Sequence, residues 1–222
     1  MIKINEYEAV IFDMDGVLID SEPLWKIAME EAFHSVGCMI TKKDFQKTVG
    51  LRIDEVVEYW HKKMQWKDLS AKDVEDLIIQ KMVRLIQENG DPLVGVIDTI
   101  AFLKSQGIKI GLATSSYNIL IDTVLESLGI RAAFDVVNSA EDEDYGKPHP
   151  AVYLTVADKL NVDTSKCLVI EDSLNGVISG MAAKMKVVCI PEKTHTPEPK
   201  LEFAHFLFED MSLFLDHIKT NA

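Results

Sequence analysis

The chain has 222 residues, 47% hydrophobic and 27% charged, values that place it among folded globular proteins and exclude a disordered, collagen-like or mucin-like chain. Thirty-six acidic against twenty-three basic side chains leave a net charge of −13, which argues against nucleic acid or an anionic membrane as a partner; an anionic small ligand would need a locally positive site. No apolar run approaches the ~18 residues of a membrane span, the N-terminal Met-Ile-Lys-Ile-Asn-Glu has no secretory-signal core, and Cys38, Cys167 and Cys189 are odd in number and lack zinc-ligand spacing, so a cytoplasmic protein with reduced thiols is expected.

Glu8–Phe12 (EAVIF) reads as a buried strand. The next stretch is different in kind. Ser21-Glu22-Pro23 is a helix start, and Thr41-Lys-Lys-Asp44 and Ser70-Ala-Lys-Asp73 resemble capping boxes with Asp in place of Glu. Helices are predicted over Pro23–Val36, Asp44–Val49, Ile53–Gln65 and Ala71–Gln87, with no strand pattern between them. Residues 20–88 therefore read as a small all-helical domain inserted after the first strand. Gly16–Ser21 would lead out, and the turn cluster Asn89-Gly90-Asp91-Pro92 would lead back.

Beyond residue 91 short apolar runs alternate with amphipathic segments. Helices Gly95–Gln106, Ile119–Leu128, Ala151–Leu160, Leu174–Ala183 and Met211–Ile218 are predicted to alternate with strands Ile108–Thr114, Phe134–Asn138, Lys166–Glu171, Lys186–Ile190 and Phe206–Phe208. Such alternation implies an α/β fold, a doubly wound parallel sheet covered on both faces, formed by residues 1–19 and 89–222.

Four strand ends are polar. The first runs into Asp13-Met14-Asp15-Gly16, and carboxylates at the carboxyl end of a strand in an open α/β sheet suit a nucleophile or a metal. A calcium loop of the EF-hand type is excluded, because Gly16 stands fourth and Val17 fifth in the run, where that loop needs glycine sixth and an oxygen ligand fifth. The second ends in Thr114-Ser115-Ser116, hydroxyls and backbone N–H groups before a helix, as a phosphate would need. Lys147 lies in the proline-stiffened Gly146-Lys-Pro-His-Pro150, and a further strand ends in Glu171-Asp172-Ser173. Singly, these also read as a polar turn, helix caps and a solvated lysine; together, at four strand ends, they point to one site.

The ordered set Asp-x-Asp-Gly, Thr-Ser, Lys-Pro and Glu-Asp-Ser, each after an apolar strand, resembles the haloacid dehalogenase superfamily over essentially the whole chain, the helical insert matching that superfamily's small cap. The stretches IFDMDGVLIDSEPLW, VGLRIDEVVEYW, GKPHPAVYL and IEDSLNG are similar to bacterial phosphatases of hexitol phosphates and 2-deoxyglucose 6-phosphate. The resemblance implies a phosphoric monoester hydrolase working through an aspartyl-phosphate. Asp13 would be the nucleophile, and Asp15 the general acid and then base. Mg²⁺ would be held by Asp13, the backbone carbonyl of Asp15 and Asp172, with Glu171 assisting through a water. The Thr114 hydroxyl, the Ser115 N–H and the Lys147 ammonium would bind the transferring oxygens. Lys147 and the metal would then supply the positive charge that an acidic chain otherwise lacks.

In the insert, Arg52 would reach the substrate, a small phosphorylated sugar or sugar alcohol, while Trp25, Trp60 and Glu22 are candidates for the sugar pocket. The acidic run Glu141–Asp144 reads as a solvated loop face, and a monomer is expected. A β-phosphoglucomutase-like mutase is the alternative reading; those enzymes carry a histidine in the hinge after the first motif, where this chain has Trp25. Dehalogenases lack an aspartate at the position of Asp15.

Overall fold

The computed structural model describes residues 1–41, 44, 47–48, 51–191 and 199–221. Six strands, β1 (Ala9–Phe12), β2 (Lys109–Thr114), β3 (Val136–Ser139), β4 (Cys167–Glu171), β5 (Lys186–Cys189) and β6 (Phe206–Leu207), form one sheet in the order β3-β2-β1-β4-β5-β6. Every pairing is parallel. The chain builds outward from β1 to β3, then crosses back to β4, so the strand order reverses beside β1. That is the position where an open α/β sheet leaves a crevice at the carboxyl ends of its strands.

The central strand is buried on both sides, as a short uninterrupted apolar run should be. Val10 and Phe12 face one layer, containing α4 (Val96–Ser105), α5 (Asn118–Ser127) and α8 (Met211–Thr220). Ala9 and Ile11 face the other, containing α6 (Ala151–Leu160) and α7 (Leu174–Ala182). The predicted helices and strands recur within one or two residues at most ends. β3 begins at Val136 rather than Phe134, because residues Arg131–Ala133 close a 3₁₀ turn and the Asp135 carboxylate accepts the Ile110 N–H at 2.7 Å.

Between β1 and α4 stand α1 (Glu22–Ser35), α2 (Ile53–Met64) and α3 (Ala71–Asn89); half of the predicted helix Asp44–Val49, residues 45, 46 and 49, lies outside the described residues. One half of the box that the spacing suggests is present: the Asp44 carboxylate caps Thr41, accepting its N–H on Oδ2 at 3.0 Å. Phe33, Trp60, Ile78 and Met82 give the insert its own apolar centre, continuous with the α4/α5/α8 layer. Both connections are tied down. Val17, Leu18 and Ile19 are buried, Ile19 forms an antiparallel bridge with Pro92, and Leu93 N–H donates to Leu18 O at 3.0 Å.

The longest insert helix, α3, starts with a reciprocal capping box: Asp73 N–H donates to Ser70 Oγ at 3.1 Å and Ser70 N–H donates to Asp73 Oδ2 at 2.9 Å. Ser70→Ala removes one half of it and touches nothing in the crevice. We expect a loss of about 1 kcal/mol, read by circular dichroism as a fall in Tm of about 2–4 °C for a chain of this size. An unchanged Tm would show that the box contributes nothing to the fold.

Candidate active site

Asp13 follows β1 directly, its N–H continuing the ladder to Ile170 O at 2.9 Å. Thr114 and Glu171 are the last residues of β2 and β4, the neighbours of β1 on either side. Lys147 comes from the loop after β3, just before the cis Lys147–Pro148 peptide. The parallel register therefore gathers three of the polar strand ends and the lysine loop at one edge of the sheet. A cavity there is lined by Asp13, Asp15, Thr114, Ser115, Lys147 and Asp172 from the sheet side and by Glu22, Trp25 and Arg52 from the insert.

Lys147 is the centre of the charge distribution. Its ammonium donates to Ala113 O at 3.0 Å and to Glu171 Oε1 at 2.6 Å, stands 2.9 Å from Asp13 Oδ1, and lies 4.9 Å from the centroid of the Tyr153 ring. Burial alone would push its proton off; Asp13 and Glu171 outweigh burial and hold it well above the ordinary lysine value. Burial likewise opposes the charge on Glu171, but Lys147 and the Tyr153 hydroxyl keep that carboxyl below its usual range. Asp13 goes the other way. Burial, helped by Glu171 and Asp15, overcomes the pull of Lys147 and raises it to about 7. One ammonium is shared between two buried carboxylates, and Glu171 takes the larger part.

Glu171 is saturated. Oε1 accepts from Lys147 and, at 2.7 Å, from the Tyr153 hydroxyl; Oε2 accepts from Asp172 N–H, Ser173 N–H and Ser173 Oγ. This crowding needs a glycine close by: a Cβ on Gly176 would fall 1.8 Å from the Glu171 carboxyl. Asp13 Oδ1, by contrast, is buried and accepts no hydrogen bond of good geometry despite its ion pair with Lys147. Asp13, Glu171 and Asp172 each present an oxygen, all within 4.8 Å of one another. An oxygen-only set with an orphaned carboxylate oxygen fits a hard divalent cation of the Mg²⁺ type. Glu171 is committed to Lys147 and Tyr153, whereas Asp13 Oδ1 has only its ion pair with Lys147. The Asp172 side chain packs on the backbone of Gly16, whose φ is +71° and where a Cβ would lie 2.3 Å from Asp172 Oδ2.

The Asp15 side chain lies outside that cluster. It accepts Ser21 Oγ–H at 2.5 Å and Trp25 Nε1–H at 3.1 Å on Oδ1, and Ser116 Oγ–H at 2.6 Å on Oδ2. Thr114 Oγ1 accepts the Ser116 N–H at 3.2 Å, which rigidifies the turn after β2. Arg52 precedes α2 and reaches from the insert to the sheet side, Nη1 donating to Ala140 O at 3.3 Å and Nη2 to Asp54 Oδ2 at 3.2 Å, while its Nε is buried without a partner. Trp60 is not in the cavity: it is buried in the insert, its ring 5.1 Å from Tyr59. The run Glu141–Asp144 does more than face solvent, since Glu141 accepts the Asn118 N–H at 2.9 Å and so caps α5. Spacing along the chain gave no signal for the roles of Ser21, Ser116 and Tyr153. Tyr153 sits one helical turn past the Lys-Pro motif, where an apolar-face reading suffices.

Comparison with known proteins gives a consistent result. The profile of the haloacid dehalogenase-like hydrolases matches residues 10–190. The chain is 40% identical over 197 residues to hexitol phosphatase B of Escherichia coli K12, covering 88% of this chain and 89% of that one. It is 34% identical to the phosphorylated carbohydrates phosphatase of Thermotoga maritima, covering 79% and 81% respectively. Among solved structures, β-phosphoglucomutase from Clostridium difficile superposes with a TM-score of 0.83 at 29% identity, over 97% of this chain and 96% of that one. Its strand order, its paired carboxylates at the end of β1 and this match over most of its length make the chain a member of the haloacid dehalogenase-like hydrolase family.

Proposed function

We propose that this hydrolase is a Mg²⁺-dependent phosphatase of small phosphorylated sugars or sugar alcohols, of the hexitol phosphate or 2-deoxyglucose 6-phosphate type. The observation that carries the reading is the buried ammonium of Lys147 between Asp13 and Glu171, at the mouth of β1 and beside a cavity that the insert closes from above. A chain of net charge −13 thereby offers a cation where a phosphate would sit. The insert, residues 20–88, is a cap domain on a core of residues 1–19 and 89–222 in this reading, and the enzyme is a cytoplasmic monomer that binds no nucleic acid. Among the described residues no helix is long and apolar enough to cross a membrane.

The chemistry assigned to each residue follows from position. A carboxylate oxygen of Asp13 attacks phosphorus, and the bond from phosphorus to the sugar oxygen breaks as the Asp13–phosphorus bond forms. Asp15 gives its proton to the departing alkoxide. It then takes a proton from the water that attacks the aspartyl-phosphate, releasing inorganic phosphate and free Asp13. The Thr114 hydroxyl, the Ser115 N–H and Lys147 bind the oxygens on which charge accumulates. Asp13, Asp172 and the Asp15 backbone carbonyl would hold the Mg²⁺, with Glu171 one shell out, orienting Lys147. When bound, the cation screens the repulsion between the anionic nucleophile and the anionic ester. A mutase reading draws support from the β-phosphoglucomutase likeness, but Trp25, which cannot exchange a proton, stands in the hinge.

A phosphate-release screen over sugar and sugar-alcohol phosphates with Mg²⁺, including a hexose bisphosphate, tests the substrate class: turnover of monophosphates to free phosphate supports it, and isomerisation without release overturns it. Asp13→Asn, isosteric and unable to attack, should drop release to background while circular dichroism stays native; activity within about tenfold of wild type removes Asp13 from the role.

Metal binding has a pH signature. A carboxyl raised to about 7 from its ordinary value of 3.8 contributes stability that is complete below about pH 4 and is lost as pH rises through about 7. A cation competes with that proton, so it offsets the loss over the same window. The rise in Tm caused by Mg²⁺ should therefore be larger at about pH 8 than at about pH 5; equal shifts would place the ion away from Asp13.

Arg52→Ala tests the cap. Loss of a charge-assisted hydrogen bond should lower kcat/KM for sugar phosphates by roughly ten- to 150-fold and affect acetyl phosphate much less. Equal losses on both would mean that Arg52 acts only through its bond to Ala140 O.

A further inference from the structure

The carboxylate of Asp15 is held by three donors from three parts of the chain. Ser21 belongs to the buried connection leaving β1, Ser116 to the turn after β2, and Trp25 to the first turns of α1. The two serines carry hydroxyls, which donate, accept and rotate. The indole N–H of Trp25 only donates and exchanges no proton at working pH. Ser21 and Trp25 both bond Oδ1 and so occupy both of its lone-pair directions, whereas Oδ2 has the single partner Ser116 Oγ.

Trp25 also has a second face. Its half-buried ring lines the cavity together with Met29, Leu51, Ile53 and Val56, the apolar part of the lining. One side chain thus touches both the acid–base carboxylate and the space left for the alcohol part of a phosphate ester. On the reading that Asp15 is the acid and base of a phosphatase, we infer that Trp25 is a positioning and specificity-determining residue: its N–H fixes Oδ1 so that proton transfer belongs to Oδ2, and its ring packs on the carbon skeleton of the leaving group. Ser21 shares the first task but lies in the buried connection, so Trp25 is the member of the trio that links Asp15 to the apolar wall and to the insert's own helix.

The test separates the two faces of the residue. Trp25→Phe keeps an aromatic wall and deletes the donor; Trp25→Leu deletes both. Each variant is compared with wild type on the sugar-alcohol phosphate that wild type hydrolyses best and on p-nitrophenyl phosphate, whose leaving group needs no proton. We expect Trp25→Phe to lower kcat on the sugar-alcohol phosphate by about tenfold, the lower end for a hydrogen bond to a charged group, with KM within about twofold of wild type. The loss on p-nitrophenyl phosphate should be several times smaller. Trp25→Leu should raise KM for the sugar-alcohol phosphate as well. In an Asp15→Asn background, Trp25→Phe should cause no further loss of kcat, because Trp25 acts through Asp15.

Equal losses on both substrates, an effect of Trp25→Phe on KM alone, or a full additional loss in the Asp15→Asn background each overturn the inference. If Asp15→Asn itself costs no more on the sugar-alcohol phosphate than on p-nitrophenyl phosphate, the acid–base reading of Asp15 is what fails, and the inference falls with it. Should wild type hydrolyse only p-nitrophenyl phosphate and simple alkyl phosphates, the substrate class fails alone; the Trp25→Phe comparison is then made on the alkyl ester and decides in the same way.

Discussion

One buried ammonium holds the crevice together. Lys147 is enclosed by Ala113 O, the Glu171 carboxylate, the Asp13 carboxylate and the face of Tyr153. Removing the ammonium would leave two carboxylates buried without compensation, a cost of several kcal/mol in comparable buried pairs. The arrangement is lopsided: Glu171 takes the good hydrogen bonds and keeps its charge, while Asp13 Oδ1 has only its ion pair with Lys147. A carboxylate left hungry in this way is suited to a cation or to an electrophile. The surrounding details serve that imbalance. Gly176 leaves room for Glu171, Gly16 leaves room for Asp172, and Tyr153 supplies the hydroxyl that frees Lys147 from being the sole partner of Glu171.

The sheet and its polar ends were readable in the sequence because each central strand is a short apolar run that stops at a polar residue, and parallel order then forces those stops to one edge. Asp13, Thr114, Lys147 and Asp172 all meet the cavity for that reason. What lay beyond reach was anything decided by the direction of a side chain across elements. The motif gives no sign of which groups hold the Asp15 side chain, and they come from three separate elements: Ser21, Trp25 and Ser116. Trp25 and Trp60 are both tryptophans on insert helices, but Trp25 lines the cavity and Trp60 is buried in the insert. Glu141 caps a helix that begins twenty-three residues earlier in the chain, a pairing set by the adjacency of β2 and β3 and by no local pattern.

Besides the packing of α3 on α5, polar contacts tie the insert to the core beside the cavity. Arg52 reaches the Ala140 carbonyl, and the Tyr117 hydroxyl donates to Glu75 of α3 at 2.9 Å, with Lys72 also paired to Glu75. Tyr117 comes immediately after the Thr114–Ser116 turn, so a shift of α3 is felt where a phosphate would be bound. Burial, reinforced by Glu75, holds the tyrosine proton far above its ordinary value, which keeps Tyr117 the neutral donor of this contact.

The bridge between Ile19 and Pro92 has an architectural consequence. The strand residues that enter and leave the insert lie side by side, at the ~4.5–5.5 Å separation of an antiparallel pair, although more than seventy residues separate them along the chain. A two-residue hairpin turn spans such a gap. The sheet therefore does not depend on what is spliced between these positions for its connectivity, and a chain in which a tight turn replaced the helices would keep the same strand order and the same register. The join behaves as a socket: helices of another length or sequence could be seated there without rethreading the sheet.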